Sequence, residues 1–168
     1  YKMDNQLQEL LDKQAISEIL QRYSRTMDWL DEAGQASCYW PDAHVDYGFF
    51  SGRADEFVPM VMVHEQKAVK RWHLVTGGII KINGNKAEVE SYGISTGSSG
   101  NDDPSNMYGG RYLDEFEKRN GEWRISKRMY ILDWKKSYTD LSQGAILEGG
   151  TLHTPDISKP GHELYRSM

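Results

Sequence analysis

Two strand-like runs, residues 71 to 82 and 86 to 96, flank Asn83-Gly84-Asn85, a turn-forming triplet that suits a tight hairpin. A second pair, 107 to 118 and 122 to 136, flanks Asn120-Gly121 in the same way. Consecutive hairpins commit this half of the chain to an antiparallel sheet, because alternation at period two gives each strand one face to bury and a tight turn fixes the register. Such a sheet needs a cover, and the upstream sequence supplies one. Leu7, Leu10, Leu11, Ala15, Ile16, Ile19, Leu20, Tyr23, Met27 and Leu30 recur at intervals of three and four, which predicts one buried stripe on a helix over about residues 4 to 29.

The connecting elements follow from local chemistry. Leu30 to Gly34 breaks the first helix, and residues 33 to 39 form a short second one that ends at Trp40-Pro41. His44 to Phe50 reads as a strand with Tyr47 and Phe49 on one face and Asp46 on the other. Phe57, Met60, Val61 and His64 predict a helix over 54 to 66, with Pro59 tolerated in its first turn. Residues 97 to 105 are a polar loop. Helices followed by antiparallel strands indicate an α+β domain over residues 1 to 140, with the N-terminal helix covering one face of a curved antiparallel sheet that is hollow on one side. The Gly-rich, aperiodic stretch 141 to 168 is expected to be a tail that packs on the domain or on a neighbouring subunit.

Composition narrows the function classes. At 168 residues the chain suits one domain with a real core. Twenty Lys and Arg, dispersed and outnumbered by 25 Asp and Glu, give a net charge of −5 and no phosphate-binding footprint, so nucleic acid is not an expected partner. Cys38 is the single cysteine, which excludes an internal disulfide and a thiolate cluster. With no signal-like N-terminus, a reduced, cytoplasmic setting is expected. No apolar run approaches the roughly 20 residues that span a bilayer, so no membrane contact is expected. His44, His64, His153 and His162 lack metal-ligand spacing, and neither a metal nor another cofactor is expected.

Alternation places Arg128, Tyr130, Leu132 and Trp134 on one face of the last strand, opposite Ile125, Met129 and Ile131. It places Tyr108 and Tyr112 with Phe116 on another, and His73 with Val75 and Ile79. Tyrosines, a tryptophan, an arginine and a histidine among aliphatic neighbours suit a small-molecule pocket with a few convergent polar groups. Asp28 lies about 120° from the centre of the helical stripe and so borders the apolar face. A carboxylate that orients an imidazole gives acid–base chemistry near neutral pH, so Asp28 and His73 are the leading pair if the fold joins them. Each also has an ordinary reading: a solvated helix-end carboxylate, and a strand histidine bonded to backbone. Arg128 could equally pair with Asp133, Glu115 or another sheet carboxylate.

The helix, Tyr23-Ser-Arg-Thr-Met-Asp28, Asp46-Tyr47, Trp72-His73-Leu-Val-Thr-Gly-Gly78, Tyr112 to Trp123 and Lys127-Arg128 together resemble the SnoaL-like branch of the nuclear transport factor 2-like superfamily over residues 8 to 136. Within that branch the order of motifs is similar to the cofactor-free lyases scytalone dehydratase, bile-acid 7α-dehydratase and hexachlorocyclohexane dehydrochlorinase. The resemblance implies a cone-shaped α+β barrel with an Asp–His dyad on Asp28 and His73, His73 moving the proton and Asp28 holding its tautomer. It further implies assisting hydroxyls on Tyr23 and Tyr47, a third such position at Tyr112, and a cavity cation on Arg128 that stabilises a departing anion. Tyr108, Tyr92, Trp29 and Trp134 complete the expected substrate contacts. The second histidine of scytalone dehydratase has no counterpart in Ile94 to Ser99, so a two-histidine mechanism is not carried over.

The leading expectation is a cofactor-independent lyase that eliminates water or a related group, formaldehyde among them, from a hydrophobic cyclic or aromatic hydroxylated molecule. Two alternatives stay open: a non-catalytic ligand-binding or protein-interaction domain of the same fold, and an isomerase that uses the same dyad. Trp123, Ile125, Met129 and Ile131 read as an outward apolar face, from which a homodimer or homotrimer is expected.

Overall fold

A computed structural model describes residues 2–98, 104–140, 146–147, 150–151 and 159–168. Helix α1 (Lys2–Asp28) buries Ile16, Ile19, Leu20, Tyr23 and Met27 as its stripe dictates. Leu7, Leu10 and Leu11 are more than half exposed, so among the described residues nothing covers the first turns. Leu30, at φ 52°, breaks the helix. Asp31 then caps α2 (Glu32–Ser37), accepting from the Gly34 N–H at 2.9 Å.

Strand β1 (Tyr39–Asp46) begins and ends earlier than the expected 44-to-50 run. The reason is turn chemistry: Gly48 has φ 78°, its N–H donates to Asp46 at 2.8 Å, and the Tyr47 N–H donates to the Phe50 carbonyl at 2.9 Å. A hairpin therefore leads into β2 (Ser51–Arg53), followed by α3 (Ala54–Glu65), which carries Pro59 in its second turn rather than its first. The 71-to-82 run is two strands, β3 (Lys70–Val75) and β4 (Ile79–Asn83), parted at Thr76-Gly77-Gly78, and both pair with β5 (Lys86–Ser98). Long strands β6 (Ser105–Arg119) and β7 (Glu122–Tyr138) form the second hairpin, and β8 (Ile146–Leu147) and β9 (Gly150–Thr151) pair separately.

The main sheet runs β2-β1-β7-β6-β5-β3, with β4 also on β5, and it is curved and unclosed. The α+β class stands. The sheet is mixed rather than wholly antiparallel, because β1 returns alongside β7 in parallel after the helical entry. Two irregularities in β7 overturn simple alternation. Between the pairs Phe116–Ile125 and Glu115–Lys127, Ser126 is the extra residue, so Trp123 and Ile125 join Arg128 on the buried side and are not part of an outward apolar face. Between Gly110–Leu132 and Gly109–Trp134, Asp133 is the extra residue, so Trp134 turns to the face opposite Tyr108 and Tyr112.

In its first half, helix α1 is fastened to the sheet by the Asp12 carboxylate. Asp12 accepts from Gln8 at 3.2 Å, Lys118 at 2.8 Å and the Trp123 indole N–H at 2.9 Å. At the other end of α1, residues of the C-terminal stretch dock: Tyr165 donates to Asp31 at 2.8 Å, and its ring and that of His162 pack on Trp29.

Candidate functional site

Helix α1 ends at Asp28 beside the middle of β3, and this juxtaposition makes the site. The Asp28 carboxylate accepts from the His73 backbone N–H at 3.1 Å through one oxygen and meets the His73 Nδ1 at 2.8 Å through the other. Both side chains are largely shielded, 8% and 18% exposed for His73 and Asp28 respectively. With Nδ1 engaged, Nε2 is the ring nitrogen left for a ligand.

Arg71, two residues before His73 on the same strand, holds the helix ends in place. Its guanidinium donates to the carbonyls of Asp28 at 3.3 Å, Glu65 at 3.0 Å and Ala68 at 2.5 Å. Those carbonyls lie at or just past the C-termini of α1 and α3, where unpaired backbone acceptors and the negative end of the helix dipole favour a cation. Burial pulls the guanidinium below its ordinary value, while the Glu65 and Asp28 carboxylates oppose that shift. Sequence reading missed Arg71, although alternation puts it on the same face as His73.

Over the dyad lies a cavity of about 400 Å³ lined by Tyr23, Met27, Tyr47, Phe49, Phe57, Met60, Val61, His64, Glu65, His73, Ser95, Tyr108, Tyr112 and Tyr130. The Tyr23 and Tyr47 hydroxyls are 2.8 Å apart. The Tyr47 ring stacks on Phe57 and Tyr130 at centroid distances of 4.9 and 5.3 Å. Burial raises Tyr23, Tyr47 and Tyr112 well above the ordinary phenol value, and the neighbouring phenols add to the shift. These tyrosines are therefore neutral donors at working pH, suited to polarise a carbonyl or a departing oxygen rather than to remove a proton.

Arg128 does not line that cavity. It is fully buried, bidentate to Asp114 at 2.8 and 2.7 Å, and its guanidinium lies 4.4 and 4.3 Å from the Tyr23 and Tyr112 ring centroids. The cation expected inside the pocket is a pillar beneath its tyrosine floor, and its partner is Asp114 rather than Asp133 or Glu115. Burial works against the charge, but Asp114 holds the guanidinium above its ordinary value.

Of the expected substrate contacts, Tyr108 and Tyr112 line the cavity. Tyr92 and Trp134 lie on the outer face, Tyr92 with Arg111 over its ring, and Trp29 packs against the C-terminal residues instead. Met60, Phe57, Val61, His64, Glu65 and Ser95 are lining residues that sequence reading did not assign to the site. The helical spacing of α3 showed its apolar face but not that this face roofs a cavity. Among the described residues no group of three or more His, Cys, Asp or Glu is placed to hold a metal ion, and no helix is long and apolar enough to cross a membrane.

A family model described as SnoaL-like domain matches residues 8–129. Among curated proteins none is similar enough to match. Among solved structures, a scytalone dehydratase-like protein from Novosphingobium aromaticivorans is similar at 17% identity and TM-score 0.70, over 92% of this chain and 96% of that one. A type 3 hexachlorocyclohexane dehydrochlorinase from Novosphingobium barchaimii gives 19% identity and TM-score 0.72, over 89% and 99%. A Nostoc punctiforme protein of unknown function with a cystatin-like fold gives 21% and 0.60, over 73% and 92%. At these identities the likeness is one of fold.

Proposed function

The chain belongs to the SnoaL-like domain family, and from that premise we propose that it is a cofactor-independent lyase acting on a hydrophobic cyclic or aromatic hydroxylated small molecule. The observation that carries this reading is the 2.8 Å contact between Asp28 and the His73 Nδ1 at the wall of a tyrosine-lined cavity. Nε2 of His73 removes a proton from carbon, and Asp28 fixes the tautomer and stabilises the imidazolium that forms. The electron pair of the broken C–H bond becomes the new double bond and expels the leaving group. The Tyr23 and Tyr47 hydroxyls share one hydrogen bond, so one of the two, kept protonated, donates to the oxygen on which charge develops, and the imidazolium returns its proton to a departing hydroxyl, which leaves as water. The dehydratase and dehydrochlorinase names of the structural neighbours agree with an elimination.

The same groups support an isomerase reading, since a carbonyl polarised by the Tyr23–Tyr47 pair acidifies the adjacent carbon without loss of a group. Product analysis separates the two. The test is turnover of a panel of hydroxylated phenolic, steroidal and halogenated cyclic compounds. His73→Ala should slow the responding reaction by about 10²–10⁴-fold with an unchanged circular dichroism spectrum. A variant that keeps near wild-type turnover would remove His73 from the mechanism. We also propose assembly as a homodimer or homotrimer through the outer sheet face, where Leu113, Met129 and Trp134 are 38% to 44% exposed.

A further inference from the structure

Beyond His73 the cavity continues into a second chamber of a different character. That chamber, of about 250 Å³, is bounded by Lys67, Ala68, Thr96, Gly97, Ser98 and Asn106, and it shares His64, Glu65, His73, Ser95 and Tyr108 with the first. The first chamber is walled by aromatic rings, Met and Val, whereas the second is of mixed character, with Ser95, Asn106 and Lys67 beside Ala68 and Pro104. His73 stands where the two meet.

Strand β5 explains the opening. Its inward row passes from Val89 through Ser91 and Gly93 to Ser95 and Gly97, so side-chain volume falls away toward the second chamber. At Gly93 an added Cβ would lie 2.7 Å from the Tyr112 ring, so there the small residue admits a neighbour. At Gly97 an added Cβ would meet only ordinary contacts, the nearest being the Ala68 Cβ at 3.7 Å, so there a side chain fits without a clash. Lys67 and Glu65 contribute one charge of each sign, which gives no preference for an ionised ligand.

We propose that the ligand is bipartite: a ring or fused-ring body in the aromatic chamber, a short neutral arm bearing hydrogen-bonding groups in the second, and the carbon between them presented to His73. This rests on the reading of the cavity as a substrate site and specifies the substrate class: an arene or cyclic compound with a hydroxylated side chain at the reacting position. An apolar arm would leave the Ser95 hydroxyl of the chamber without a ligand partner, and an arm too short to enter would leave the space unused.

The experiment compares para-propylphenol with its dihydroxypropyl counterpart by NMR titration of the full chain. The diol is expected to bind at least as tightly and to shift the Ala68 and Gly97 amides, while propylphenol shifts chiefly the Met60 and Val61 methyls. If only the aromatic chamber received ligand, burying the two hydroxyls without partners would weaken the diol by about tenfold or more. Gly97→Val, which fills the second chamber, should weaken the diol by about tenfold and leave propylphenol within about twofold. A diol weaker than propylphenol by tenfold in the native chain, shifts confined to Met60 and Val61, or no binding of either compound overturns the inference. Equal weakening of both ligands by Gly97→Val does the same. Because these readouts are of binding, the lyase reading fails separately, when a diol-type ligand binds as described but no member of that class is turned over.

Discussion

The Asp28 carboxylate accepts from His73 twice, at the backbone N–H and at the ring Nδ1, so one helix-end residue fixes both the strand and the imidazole it carries. Bidentate contact of this kind sets ring orientation and tautomer together, which a carboxylate touching only the ring would not do. Asp28→Asn should therefore alter the tautomer before it alters the fold. In the native protein, nitrogen chemical shifts of the neutral imidazole should report its proton on Nδ1 and none on Nε2. In the variant the amide NH₂ can donate to Nδ1, and the proton should move to Nε2. On any substrate found, turnover should fall by about 10²–10⁴-fold. An unchanged tautomer in Asp28→Asn would show that Asp28 does not govern the ring.

Tyr23, Tyr47 and Tyr112 carry a pH consequence of their own. Their folded-state values are raised by burial and by one another above the ordinary 10.0. A group with a raised folded value contributes stability that is complete below its unfolded value and is lost as pH rises above it. The protein should thus weaken above about pH 10, and phenolate absorbance should appear in two stages: exposed tyrosines first, the buried ones on unfolding. Tyr23→Phe removes one such group. Its unfolding transition should lie at higher pH than that of the native chain if the loss of the 2.8 Å bond to Tyr47 does not dominate at neutral pH, which a denaturant titration at pH 7 measures directly.

The parts of the fold that could be read were those with a repeating cause. Asn83-Gly84-Asn85 and Asn120-Gly121 sit at the two hairpins, and the α1 stripe buries Ile16 to Met27. Asp28 and His73 were legible as a pair by resemblance, and the contact itself required the curvature of the sheet. What alternation misplaced lies beyond a bulge. One extra residue at Ser126 reversed the faces of Trp123 and Ile125 relative to Arg128, and another at Asp133 sent Trp134 outward. Bulges carry no clear sequence mark here, since neither residue is a glycine. The partner of Arg128 was equally hidden: Asp114, Glu115 and Asp133 are all close in the hairpin, and register alone, Asp114 opposite Arg128, selects among them.

That Arg128–Asp114 pair is fully buried and bidentate, with Tyr23 and Tyr112 on the guanidinium. Breaking it leaves a charge with no partner in a desolvated site. Asp114→Ala should cost about 3–5 kcal/mol in denaturant unfolding. Replacing both residues by apolar ones of similar volume, Arg128→Met with Asp114→Leu, should recover most of that loss, because a buried pair and an apolar pair of equal size differ little in stability. If the double variant is as unstable as Asp114→Ala, the pair contributes more than charge neutralisation, and the support it gives the tyrosine floor is then the term to measure.

Asp12 gives the acid limb of the stability curve. Burial by itself would raise its carboxyl, but hydrogen bonds from Lys118, Trp123 and Gln8, with the Lys118 charge, hold it below the ordinary 3.8. A depressed folded value means stability that is present above the unfolded value and lost as pH falls through the folded one. At pH 7 the carboxylate fastens α1 to β6 and β7, so Asp12→Asn, whose amide oxygen still accepts but leaves Lys118 without its counter-charge, should cost about 1–2 kcal/mol, the difference between charge-assisted and neutral hydrogen bonds. As pH falls through the folded value, which lies below 3.8, the native carboxylate is itself protonated, and the difference between the two proteins should shrink toward zero. Denaturant midpoints at neutral pH and in acid measure both. A difference that persists undiminished in acid would mean that the asparagine destabilises by shape rather than by loss of charge.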